Sequence, residues 1–113
     1  MFKTVLFPID PSMENRAATC TVIELAKDHQ SNITLLSVDQ PNQDVNNQAL
    51  RISQLKKAQK QIQEANINCD VLERHGKPAF VICDVANDLN VDLIVMNTKG
   101  VNLKGNDENT GAR

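Results

Sequence analysis

At 113 residues, with 41% hydrophobic and 23% charged side chains, the chain suffices for one domain with a real core and is too short for two. A net charge of −2, no Trp, no Tyr and only three Phe argue against nucleic-acid binding, which needs a basic patch and often aromatic stacking platforms. No apolar run approaches the ~20 residues of a membrane helix, so neither nucleic acid nor membrane is expected as a partner.

The chain starts with Met1-Phe2-Lys3 and moves directly into the apolar run Thr4-Val5-Leu6-Phe7-Pro8-Ile9, without the h-region and cleavage site of a secretory signal. The cytoplasm is the expected compartment. The run suits a strand buried on both faces of a parallel sheet, and it stops at Asp10-Pro11-Ser12. Ala18, Val22, Leu25 and Ala26 then recur at helical spacing, which predicts a helix from about Met13 to His29 with Ser12 ahead of it and Glu14 in the first turn. Ile33 to Val38 predicts a second strand, closed by a polar stretch around Pro41.

Ile52, Leu55, Ala58 (or Gln59), Ile62 and Ala65 lie three and four apart among Lys, Gln and Glu, and predict an amphipathic helix whose outer face, with Lys56, Lys57 and Lys60, is solvated. Cys69 to Arg74 predicts a short, more polar strand near a sheet edge. Gly76 permits a positive-φ turn, Pro78 suits a first helical position, and Ile82, Val85, Ala86 and Leu89 form the stripe of a third helix. Asp92-Leu93-Ile94-Val95-Met96 is the most hydrophobic strand, and the rest of the chain reads as loop.

Four strands alternating with three helices imply an α/β fold with an open, doubly wound parallel sheet, because parallel neighbours need crossover connections. If the last strand lay at an edge, its apolar run would be open to pairing, so a further helix and strand are expected to be missing or supplied by a partner. The three cysteines, Cys20, Cys69 and Cys83, are far apart, show no metal-binding spacing and are read as small buried hydrophobes. His29, at a helix end, and His75, beside a turn, lack the company expected of a general base and are read as surface residues.

Open α/β sheets bind ligands outside the carboxyl ends of their strands, where the strand order reverses. Three segments are placed there: Pro8 to Ser12, Val38 to Pro41, and Asn97 to Gly111, the last with three glycines of the kind that close backbone N–H groups around phosphate. A mobile loop is the plain alternative for that segment, and helix capping is the plain alternative for Asp10.

Taken in order, these residues resemble the universal stress protein family. The likeness runs over nearly the whole chain: the opening strand with Pro8, Asp10 and Ser12, the second strand ending in Val38, then Gly76, Pro78, Ile82 and Ala86, and most specifically Val91 to Met96. In the family that last segment continues as glycine, a small hydroxyl residue, a variable residue and glycine, then about nine residues before glycine followed by Ser or Thr. The resemblance implies one such domain over residues 1–113, incomplete at its carboxyl end, with a Rossmann-like sheet of strand order 3-2-1-4 and a fifth strand absent.

It further implies ATP or a related adenine nucleotide, with Mg²⁺, as ligand. Asp10 and Val38 would flank adenine and ribose, Pro8 and Ile9 would shape the pocket, Met96 would support the base, and Asn97, Thr98, Gly100 and Gly111 would surround the phosphates. The sequence departs from the family at three points: Asn97 stands at the first glycine, ten residues rather than nine separate Gly100 from Gly111, and Ala112 replaces the hydroxyl residue. Asn tolerates a left-handed backbone, so Asn97 is expected to keep the turn while its side chain intrudes on the phosphate, and one lost hydroxyl contact is worth roughly 1.5–3 kcal/mol.

The expected function is a stress-response module that binds adenine nucleotide with reduced affinity. No nucleophile with a base, carboxylate pair or metal cluster is apparent, so any ATP hydrolysis would be slow and incidental. The alternative is a regulatory or scaffolding family member that has lost the ligand and works through protein contacts. Homo-oligomers are expected, although the family's dimers use a last strand that this sequence does not contain. A flavodoxin-like or receiver-type reading is weak, since aromatic residues to sandwich a flavin and an acidic phosphoacceptor cluster are both lacking.

Overall fold

Along the described residues, strands and helices alternate. The elements are β1 (Thr4–Pro8), α1 (Arg16–His29), β2 (Asn32–Asp39), α2 (Val45–Glu64), β3 (Cys69–His75), α3 (Pro78–Leu89) and β4 (Leu93–Ile94). The computed structural model describes residues 2–10, 14–40 and 45–97, with side chains in α2 from residue 48 onward. The described strands form one parallel sheet of order β3-β2-β1-β4. β1 pairs with β2 from Thr4↔Asn32 to Pro8↔Leu36, and with β4 through Val5↔Leu93 and Leu6↔Ile94.

The continuous apolar runs of β1 and β2 form strands because each is covered on both faces. By alternation, Val5, Phe7, Ile33 and Leu35 pack with Val22, Ile23 and Ala26 of α1 and with Leu55, Ala58 and Ile62 of α2. Leu6, Leu36 and Val38 point the other way, onto Ile82 and Val85 of α3. Among the described elements, two helices therefore cover one face and a single helix the other.

Helix ends follow local chemistry. α1 and α3 stop at Gln30 and Asn90, both left-handed, each returning its N–H to the preceding turn. Pro78 opens α3, where its missing N–H costs nothing. Gly76 has a φ of 132°, and an added Cβ would also come within 3.1 Å of the Val81 side chain.

Several expectations need correction. α1 begins at Arg16, so Glu14 lies ahead of it rather than in its first turn, and Ser12 and Met13 fall outside the described residues. In α2 the inward stripe is Arg51, Leu55, Ala58 and Ile62, while Ile52 is exposed. Spacing alone admits either neighbour, and the stripe through Arg51 keeps the steps of four, three and four that continue to Ile62. Cys20 and Cys83 are exposed because each sits off the stripe its helix presents to the core, whereas Cys69 packs against the core but is only partly buried, since it starts the edge strand β3. Leu89 is exposed too, and β4 pairs over two residues only, with Ile94 and Met96 open to solvent on the α3 side.

Arg51 is 97% covered, since only 3% of it is exposed. Its Nη1 donates to the Ser37 hydroxyl at 2.6 Å and to Glu73 at 3.2 Å, whereas its Nε has no partner. Ser37 and Glu73 are register partners of β2 and β3, so the guanidinium ties α2 across two strands. A buried charge left with fewer partners is worse than none. Glu73→Ala should therefore lower stability by about 1–2 kcal/mol, while the double change Ser37→Ala with Arg51→Met costs less, as read from urea midpoints; a double variant less stable than Glu73→Ala would contradict this.

Candidate functional site

In an order of β3-β2-β1-β4, the chain leaves β1 for β2 on one side and returns to β4 on the other, so the loops after β1 and β4 diverge over a crevice. Pro8 carries no N–H, and the ladder resumes at Ile9, whose N–H donates to the Leu36 carbonyl at 2.8 Å. Pro8, Ile9 and Val38 are buried at the carboxyl ends of β1 and β2, with Ile9 in the α1/α2 core and Val38 in the α3 core. They form the floor of the crevice. Asp10 stands exposed above it.

β4 is held beside β1 by more than its short ladder. Asp92 accepts the backbone N–H groups of Lys3 at 2.8 Å and Thr4 at 3.0 Å, its own N–H donates to the Thr4 carbonyl, and Val95 N–H donates to Leu6. The two backbone donors, Thr4 first, hold the Asp92 carboxyl below its ordinary range. This carries Met96 and Asn97 past the end of the sheet, opposite the start of α1.

There the structure makes a contact that the sequence reading missed. Asn97 Nδ2 donates to Asn15 Oδ1 at 2.9 Å and to the Glu14 carbonyl at 3.1 Å. Asn15, only 2% exposed, donates its own Nδ2 to the Asp10 carbonyl at 2.9 Å, while its carbonyl accepts the N–H and hydroxyl of Thr19. Asn15 occupies the N-cap of α1 without making a side-chain cap, because its carboxamide is spent across the crevice. Glu14 acts in its place, accepting Arg16 N–H at 2.7 Å. An Asn directly before a helical stripe was the available signal.

Asp10 and Asn97 are thus brought into one network, and Pro8, Ile9 and Val38 lie beneath it. Thr98, Gly100, Gly111 and Ala112 fall outside the described residues. Asn97 does not have the left-handed backbone expected of it: among the described residues positive φ is confined to Gln30, Asn66, Asn90 and Gly76. Beside the crevice, a cleft of about 360 Å³ between α1 and α2 is lined by Asn15, Arg16, Lys57 and Gln61.

Other polar groups lie elsewhere. His75 is exposed, as expected, but has carboxylate company after all, with Nδ1 at 3.1 Å from Asp39 across the β2–β3 register. His29 packs its ring on Phe2. At the amino ends of the strands, a cavity of about 600 Å³ collects Asn32, Asn66, Asn68 and Cys69. Burial, and then the charge of Asp70, push the Cys69 thiol up to about 11, which keeps it protonated and unreactive at neutral pH. Among the described residues no three His, Cys, Asp or Glu side chains gather as a metal site, and no helix is long and apolar enough to cross a membrane.

Comparison with known proteins agrees with this geometry. A family model described as the universal stress protein family matches residues 1–106. Universal stress protein Sll1654 of Synechocystis is 41% identical over 111 residues, covering 91% of this chain and 71% of the relative. A universal stress protein structure from Archaeoglobus fulgidus superposes with a TM-score of 0.74 at 13% identity, covering 88% and 78% of the two chains. A universal stress protein family structure from Arabidopsis thaliana with AMP bound gives 0.69 at 18% identity, also covering 88% and 78%. At such identities the structures show the fold.

The Asp92 contact has a defined pH dependence. Its folded pKa lies below the unfolded one, so its stabilisation is present above the ordinary carboxylate range near pH 4 and is lost as pH falls through the folded value. Asp92→Asn should melt below the wild type at pH 7, with the gap narrowing as pH falls below about 4; a gap constant across that window would contradict the assignment.

Proposed function

The chain belongs to the universal stress protein family, and on that footing we propose that it is a non-catalytic stress-response module that binds an adenine nucleotide, AMP or Mg²⁺-ATP, with reduced affinity in the crevice between β1 and β4. The observation that carries the reading is the convergence of Asp10 and Asn97 over the buried floor of Pro8, Ile9 and Val38. Binding of AMP by a relative of the same fold supports it.

Among the described residues the groups that meet there are carboxamides, backbone carbonyls and carboxylates, with no nucleophile paired to a base, which favours holding over reacting. A magnesium ion would ride on the phosphates of the nucleotide, as suits a cation that retains its waters and takes few protein ligands. Reduced affinity follows from Asn97 at the phosphate end and from Ala112, which offers no hydroxyl. The cytoplasm is the compartment in which such a ligand is abundant.

Titration calorimetry with ATP, ADP, AMP and cyclic AMP at millimolar ligand should give saturable heat with at least one of them. Asp10→Ala should weaken that binding by roughly tenfold or more in the same titration. Absence of heat with all four nucleotides would overturn the reading.

A second reading, action through protein contacts, draws on a different observation. Ile94 and Met96 are 37% and 53% exposed, and one edge of β4 is unpaired among the described strands. Exposed apolar surface beside an open strand edge favours self-association, with a second copy of this chain as the partner. Sedimentation should show a dimer that Ile94→Lys shifts toward monomer; a wild-type monomer at tens of micromolar would count against it.

A further inference from the structure

We propose that Asn97, Asn15 and Glu14 form an intramolecular clasp that closes the crevice between β1 and β4, so that a nucleotide phosphate is seated only when the clasp opens. The inference rests on the nucleotide reading of this crevice and specifies how its affinity is set.

The clasp joins the two walls of the crevice directly. Asn97 lies beyond β4 and Asn15 lies at the start of α1, 82 positions apart in sequence, yet their carboxamides meet at 2.9 Å. The same Asn97 nitrogen also reaches the Glu14 carbonyl. Asn15 is fixed in one orientation, since its nitrogen serves the Asp10 carbonyl and its oxygen accepts from Asn97; turning it over would set donor against donor and acceptor against acceptor. With 2% exposure it has little room to respond otherwise.

The positive end of α1 is occupied in the same way. Glu14 places a carboxylate on Arg16 N–H, the kind of group for which an incoming phosphate would compete. The crevice thus carries an internal anion on one wall and an internal amide donor bridging to the other.

Backbone conformation does not account for Asn97, because its φ is not in the left-handed region. Its side chain is what distinguishes it from the glycine expected at this position. A glycine could make neither of the two bonds. Clasped and ligand-bound states exclude one another, and the apparent dissociation constant is the intrinsic one divided by the open fraction.

The test compares the wild-type chain with Asn97→Ala and Asn97→Gly by titration with AMP and with Mg²⁺-ATP, alongside the side-chain amide resonances of Asn15 and Asn97. Asn97→Ala removes the amide without giving the backbone the freedom of glycine. Both variants should bind roughly tenfold more tightly, a change of about 1.4 kcal/mol. AMP should also move the Asn97 amide pair of the wild type toward its solvent-exposed position.

Equal or weaker binding by both variants, with the wild type still binding, would overturn the clasp and leave the nucleotide reading intact. No binding by wild type or variants would overturn that reading and the clasp as its gate together. Tighter binding by Asn97→Gly alone would assign the effect to backbone freedom and also overturn the clasp.

Discussion

Parallel pairing of β1 with β2 on one side and β4 on the other is the constraint on which the rest of the molecule depends. A strand buried among neighbours on both edges and helices on both faces must be apolar throughout, as Val5, Leu6 and Phe7 are. It also obliges the chain to leave the sheet in one direction after β1 and to return from the other before β4. The crevice is the geometric residue of that reversal, and its position owes nothing to the side chains that line it. Because β4 has so short a ladder, its alignment depends on Asp92 gripping the backbone of Lys3 and Thr4.

Above that frame, each polar group at the crevice is diverted from its ordinary task. Asn15 stands at an N-cap and does not cap; Glu14 does so from outside the helix. Asn97 stands where a glycine would leave space and uses its carboxamide to join the two walls. Family membership and fold are shown; under the nucleotide reading proposed above, the affinity of this particular crevice would be governed by whether a ligand's phosphate outcompetes groups already satisfied within the chain. At Asn15, which is buried, that competition would be between complete hydrogen-bond sets, since an unsatisfied buried group is costly.

Much of this was legible in the residues. The apolar runs of β1 and β2, the glycine and proline before α3 and the Asp92 to Met96 run indicate the strand and helix order, and the polar Cys69 to Arg74 segment marks an edge strand. The errors share a physical origin. Helical spacing identifies a stripe but cannot by itself choose between adjacent registers, so Ile52 was favoured for its chemistry while Arg51 is the residue that turns inward, satisfied in part by Ser37 and Glu73. Cys83 reads as buried from residue type, yet it lies on the side of α3 turned away from the sheet and is exposed.

What the sequence by itself determined was the alternation of elements, the parallel sheet, the family and the location of the crevice, because all four follow from local periodicity and from motifs contiguous in the chain. What only the tertiary structure decided was how the crevice is furnished: the contact between Asn15 and Asn97, the pairing of His75 with Asp39 and the burial of Arg51. Each joins residues brought close by strand register and helix docking rather than by spacing along the chain. Hydrogen bonds are directional and extend about 3 Å, so their partners become definite only once the backbone has been placed.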